Sequence, residues 1–205
     1  MKEELYDKEY FEIGLETGKS CYQNYRWIPF LTIPFVMNLI DAFSITRHHS
    51  ILDFGCAKGF VVRAFHLLHR TKTYGVDISS YALSQAPEEI KPFLFKYPNL
   101  SPTFYDFCLA KDVFEHIPFD KLPEVLYYIY SQCDKLFVIV PLGKNGKFYS
   151  KMNDLDPTHV SCYNETEWVN IFLTNGWKVI WRRFEFYDVK KDHSPKSHGF
   201  FYLGK

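Results

Sequence analysis

A chain of 205 residues suits one domain with a sizeable core, and a hydrophobic fraction of 47% argues against disorder. Lys plus Arg and Asp plus Glu both number 24, so the basic excess with which nucleic-acid binders neutralise phosphate is missing. Five cysteines, odd in number and never at C-x-x-C spacing, argue against a structural zinc site and against a full disulfide framework. Met1 to Tyr10 is charged and lacks the apolar run of a signal peptide. Trp27 to Ile40 is interrupted by Pro29 and Pro34 and is too short to span a bilayer. A cytoplasmic chain without a membrane or nucleic-acid partner is therefore expected. Residues 1–46 read as a helical, aromatic-rich N-terminal extension.

From Ser50 onward short apolar runs alternate with amphipathic stretches, the mark of an α/β fold. Strands are expected at Ser50–Phe54, Thr73–Asp77, Phe93–Lys96, Asp106–Ala110 and Lys135–Val140, the last stopped by Pro141. Helices are expected at Phe60–Leu68, at Ser79–Ile90 (shortened or kinked by Pro87), and at Leu122–Gln132. Leu142 to Cys162 is polar and too long for a simple connector, which suits a functional loop. Asn164–Asn175 reads as a helix closed by Gly176. Trp177–Phe186 and Gly199–Leu203 are strand-like and joined by a hydrophilic turn, which predicts a C-terminal antiparallel hairpin on a mostly parallel, seven-stranded sheet with helices on both faces.

The chemistry concentrates at Asp53-Phe54-Gly55-Cys56-Ala57-Lys58-Gly59, between a strand and a helix. Small residues at 55, 57 and 59 let backbone approach a ligand closely, and a helix N-terminus offers free amides. Asp77 ends the next strand, where a carboxylate can hold ribose hydroxyls or cap the following helix. The segments ILDFGCAKGF, YGVDIS and AKDVFEHIP resemble motifs of the class I S-adenosylmethionine-dependent methyltransferases. DPTHVSCYNETEWVNIFLTNGW, YDKEYFEIG and QNYRW resemble the branch acting on sugars and other small metabolites.

This resemblance implies a single Rossmann-like domain over 1–205, with 1–46 as a lid, 47–205 as the core and 142–162 as a substrate loop. It implies S-adenosyl-L-methionine as cofactor and a small acceptor, such as a sugar or sugar nucleotide. Gly55, Cys56, Ala57, Gly59 and Phe60 would form the turn beneath the methionine part. Asp53 would orient the amino group, and Asp77 with Ile78 would hold the ribose. Ala110, Lys111 and Asp112 would face the sulfonium, with Tyr25 and Arg26 closing above. The acid that commonly meets the adenine after strand three is missing from FKYPNLSPTFY, leaving Asn99 or backbone to substitute.

Two histidines are candidates for general base, the task of taking a proton from an acceptor hydroxyl. His159 is expected to be that base, oriented by Asp154 or Asp156, the other reading being a histidine that bonds the loop to itself. His116 reads as a base or as a structural hydrogen bond before Pro118. Asp154, Asp156 and His159 fit no defensible hard-metal spacing, so no metal is expected. Phe60 in the sixth position of the turn departs from the dinucleotide fingerprint, and Ala110-Lys111-Asp112-Val113 lacks the prolines of amino-methylating nucleic-acid enzymes. Lys58 and Lys111 leave a non-catalytic, cofactor-binding regulatory module as the alternative.

Overall fold

A computed structural model describes residues 3–69, 71–99, 104–190 and 195–205. Two short helices open it, α1 (Lys8–Glu12) and α2 (Gly14–Thr17), and Asp7 caps the first by accepting from the Tyr10 amide. Helix α3 (Pro29–Ala42) begins on Pro29, where a missing N–H costs nothing, and tolerates Pro34 inside it. The alternating core follows as β1 (Ser50–Phe54), α4 (Phe60–His69), β2 (Lys72–Asp77), α5 (Ser80–Ser84), β3 (Leu94–Lys96) and β4 (Tyr105–Lys111). It continues as α6 (Leu122–Gln132), β5 (Cys133–Pro141), a small hairpin of β6 (Gly143–Lys144) and β7 (Lys147–Phe148), and α7 (Lys151–Asp154). Helix α8 (Glu165–Thr174), β8 (Lys178–Arg183) and β9 (His198–Gly204) complete the chain.

The seven-stranded sheet has the order β3-β2-β1-β4-β5-β9-β8. All its neighbours pair parallel except β9, which runs antiparallel to both β5 and β8. Winding proceeds outward from β1 in one direction and from β4 in the other, so a crevice opens at the carboxyl ends of these two strands. Because side chains alternate along a strand, the sheet has two cores. Leu52, Phe54, Cys108, Ala110, Val138 and Val140 pack toward α6 and α8, against Leu126, Ile129, Trp168 and Phe172. Ile51, Leu109, Phe137 and Ile139 pack toward α3 and α4, against Val36, Leu39, Ala64 and Phe65. Among the described residues no helix is long and apolar enough to cross a membrane.

Three elements differ from the expectation. The helix foreseen over Ser79–Ile90 stops at Ser84, because Pro87 disfavours helical backbone at Ala86. Strand β8 is shorter than Trp177–Phe186, with a register irregularity between Val179 and Trp181. The expected substrate loop holds the β6–β7 hairpin and α7. The N-terminal extension also divides: α3 belongs to the core, and the segment before it reaches the strand ends.

Candidate active site

Beyond Phe54 the chain turns through three left-handed residues, Gly55 (φ 79°), Ala57 (φ 47°) and Gly59 (φ 71°), into α4. The Gly55 amide donates to the Val76 carbonyl at 2.8 Å, tying the turn to β2. A Cβ on Gly55 would lie 2.4 Å from Val113 Cγ2, so both space and φ demand glycine. Asp77 holds this turn in place. Its Oδ2 accepts from the Ala57 amide and its Oδ1 from the Ser79 amide, both at 2.7 Å. The helix cap itself is Ser79, whose hydroxyl accepts from the Ala82 amide. Burial raises the Asp77 pKa, and the Ser79, Ala57 and Ile78 amides oppose the shift.

A cleft lies at the crevice. Gly55, Ala57, Asp77 and Ile78 line it from the ends of β1 and β2; Tyr6, Tyr10, Phe11 and Tyr22 come from the N-terminal segment; Tyr97, Asp112, Val113 and His116 come from the segments after β3 and β4. Of the residues expected to meet the cofactor, Gly55, Ala57, Asp77, Ile78 and Asp112 reach this wall. Asp53, Cys56 and Ala110 are buried and absent from the lining. Burial pushes the Asp53 carboxyl up to about 7, with the Lys111 charge pulling the other way. A Cβ on Gly59 would crowd Leu94 and Ile90, and Phe60 stacks on Tyr25 with ring centroids 5.4 Å apart. Arg26 is exposed and does not line the cleft.

The two unusual lysines are both engaged. Lys58 Nζ donates to Glu12 Oε1 at 2.6 Å and to the Tyr25 carbonyl at 2.7 Å, fastening the N-terminal segment to the turn. Glu12 also accepts from the Tyr81 hydroxyl. Lys111 and Lys190 both pair with Asp112 Oδ2, at 2.5 and 2.8 Å. Burial would raise the Asp112 pKa, but these two cations outweigh it and hold the carboxyl well below its ordinary range. In the loop after β3, where the adenine contact was expected, Tyr97 lines the cleft and meets Phe54 edge-on at 5.8 Å, whereas Asn99 is exposed. Residues 100–103 of that loop lie outside the described residues.

The histidines sit one behind the other. His116 is on the cleft wall; His159 is not, and its ring lies 4.7 Å behind that of His116. His116 Nδ1 lies 2.9 Å from Thr158 Oγ1, which donates onward to Asp156 Oδ1 at 2.5 Å. That donation leaves the hydroxyl to accept from His116, which places the imidazole proton on Nδ1 and the lone pair on Nε2. Tyr10 donates to the other Asp156 oxygen at 3.4 Å. His159 Nδ1 donates to the Asn153 carbonyl at 2.8 Å. The Val160 and Ser161 amides donate to the Glu115 carbonyl, locking the two loops together. Burial, with the His159 charge, pushes His116 down to about 4, while burial and Asp112 raise Glu115 well above the carboxylate range.

Sequence reasoning missed Tyr6, Tyr10, Tyr97, Thr158 and the Lys58–Glu12 pair. Tyr6 precedes the α1 cap at Asp7, and its ring meets that of Tyr10 edge-on at 5.1 Å, a contact that helical spacing does not encode. The others depend on contacts between distant segments.

The profile of a methyltransferase domain family matches residues 32–181. Among curated proteins no sequence match is found. Solved structures similar to this chain include a SAM-dependent methyltransferase from Archaeoglobus fulgidus (TM-score 0.64, 15% identity, covering 85% of this chain and 94% of that one). The magnesium protoporphyrin IX methyltransferase of Synechocystis PCC 6803, solved with bound SAH, superposes at TM-score 0.62 with 17% identity, covering 85% of this chain and 82% of that one. An O-methyltransferase from a trans-AT PKS multienzyme of Brevibacillus brevis, in complex with S-adenosyl-L-homocysteine, gives 0.62 and 18%, covering 86% and 72%. These likenesses establish the fold, and the profile match establishes the family: the chain belongs to the methyltransferase domain family and is an S-adenosylmethionine-dependent methyltransferase.

Proposed function

We propose that the chain methylates a hydroxyl group of a small molecule, with a sugar or sugar nucleotide as the acceptor class. The observation that carries this reading is His116, a residue of the cleft wall backed by Thr158 and Asp156. The cofactor supplies an electrophilic methyl carbon. The Gly55–Gly59 turn lets backbone pass beneath its methionine part, and Asp77, whose carboxylate oxygens keep lone pairs beyond their amide bonds, receives the ribose. Asp53 orients the amino group from behind the wall, and the Tyr97 ring takes the adenine side that lacks an acid. The N-terminal segment up to Tyr25 acts as the lid, and the 142–162 segment completes the acceptor side.

A hydroxyl acceptor needs positioning about 3 Å from the methyl carbon and a group to take its proton. His116 meets it with the Nε2 lone pair, while Thr158 and Asp156 hold the ring. His159 supports His116 from behind rather than meeting the acceptor. Tyr6, Tyr10 and Tyr22 offer ring faces with polar tips, which suit a hydroxylated ring.

The test combines calorimetry with S-adenosylhomocysteine and a screen of nucleotide sugars and glycans with labelled cofactor. Gly55→Val and Asp77→Ala should weaken cofactor binding, the latter by about 1–3 kcal/mol for a lost buried partner. His116→Gln should lower turnover by about 10²–10⁴-fold with cofactor affinity unchanged. Full turnover in His116→Gln, or cofactor affinity at the wild-type level in both pocket variants, refutes the assignment.

A further inference from the structure

We infer that Glu115, His116 and His159 form a binding site for one divalent transition-metal cation on the acceptor side of the cleft. A ring nitrogen from each histidine and a carboxylate oxygen of Glu115 lie within 4.8 Å of one another, which places three donors around one point. Glu115 is only 1% exposed, and its Oε2 has no hydrogen-bond partner among the described residues. A buried carboxylate oxygen without a donor is costly, and the cost is removed by a proton or by a cation; the cation is the partner that the two adjoining imidazole nitrogens also suit.

The surroundings of the two rings support the same conclusion. Metal-bound histidines hand their second N–H to a carbonyl, or to a group anchored on a carboxylate, which fixes the ring and aims the other nitrogen. His159 gives Nδ1–H to the Asn153 carbonyl, and His116 gives it to Thr158, itself anchored on Asp156. Both rings therefore keep Nε2 for coordination. The ligands come from two loops, and the Val160 and Ser161 amides fasten one loop to the Glu115 carbonyl of the other. The donor set is preorganised.

Two imidazoles and one carboxylate suit Mn²⁺, Fe²⁺, Co²⁺ or Zn²⁺ better than Mg²⁺ or Ca²⁺, which prefer oxygen. Three protein donors leave coordination positions open, and the site borders the cleft through His116. The ligand class that fits those positions is an acceptor with two neighbouring oxygens, such as a vicinal diol. This role in substrate binding rests on the hydroxyl-acceptor reading; with a cation bound, His116 Nε2 is a ligand instead of the base, and the cation acidifies the hydroxyl in its place. The cation site itself does not depend on it.

The experiment uses the full chain, stripped with a chelator and titrated with Mn²⁺ while the free ion is followed by electron paramagnetic resonance. Co²⁺ absorption gives a second readout. One equivalent should bind, and Glu115→Gln, His116→Gln and His159→Gln should each weaken binding by about tenfold or more. S-adenosylhomocysteine binding reports that each variant is folded; should Glu115→Gln fail to fold, the two histidine variants carry the test. Absence of saturable Mn²⁺ and Co²⁺ binding, or unchanged binding in both histidine variants, overturns the site. Turnover that depends on His116 in a protein binding no metal removes the cation and keeps the hydroxyl reading. One-equivalent binding with no hydroxylated acceptor methylated keeps the site and removes that reading.

Discussion

Asp53 is the residue whose ionisation the fold sets most plainly. Its carboxyl is 4% exposed and pushed up to about 7 from an ordinary 3.8, so the folded chain binds a proton there that the unfolded chain releases. Its contribution to stability is complete below about pH 4 and is lost as pH rises through about 7, on the order of a few kcal/mol. Thermal melts from about pH 5 to 8 should show this loss, and Asp53→Asn should flatten it. An ammonium group beside Asp53 favours the carboxylate, so cofactor product should bind more tightly as pH rises over the same window and release a proton. Calorimetry in two buffers of different ionisation enthalpy reads that proton; none released means that Asp53 does not meet the amino group. Gly55 and Asp77 were legible in the sequence because their requirements are local: a turn needing no side chain, and an acid at a strand end. His159 and His116 were legible only as a pair. Which of them faces the cleft depends on how two loops far apart in sequence dock, and no local pattern encodes that docking.

The elements were read well where periodicity and punctuation agreed. Leu122–Gln132 emerged with the foreseen bounds, and α8 begins after Asn164, whose side chain shares a capping box with Glu167. Elements were misread where a tertiary contact outweighed a local signal, as in β5, which continues through Pro141 because that residue still pairs with His198. The N-terminal extension was read as one piece, yet α3 joins the core through Phe35, Val36 and Leu39. The segment proposed as the lid is the one that Lys58 fastens. Its ion pair with Glu12 is largely buried, with side-chain exposures of 9% and 22%. Removing one partner of such a pair costs about 3–5 kcal/mol, whereas replacing the charge by an apolar side chain of similar length is milder. Glu12→Ala should therefore speed amide exchange across residues 8–25 by on the order of a hundredfold, and Lys58→Met by less. Unchanged exchange in Glu12→Ala means that the lid is held by its aromatic contacts alone.

At the scale of the molecule, both cores depend on strands buried on two faces. Phe201 is fully buried, pairs with Val138 and Arg182, and meets Phe172 at 5.3 Å. Phe201→Ala should cost about 3–5 kcal/mol, read from the denaturant midpoint with the slope unchanged. A loss under about 1 kcal/mol would mean that the cavity collapses there. The sheet order was foreseeable from the alternation of strands and helices, but the insertion of β9 between β5 and β8 was not, because a hairpin signal says nothing of which strand lies outermost. That insertion has a consequence for synthesis. Translation delivers β8 before the strand that links it to the sheet, so a nascent chain stalled at residue 190 carries β8 with no hydrogen-bonding neighbour and β5 with a bare edge. Such edges attract other strands, and chaperones engage them. A free chain truncated after residue 190 should be cut readily by protease between α8 and β8, a sensitivity that the full chain, with β9 seated between β5 and β8, should lack.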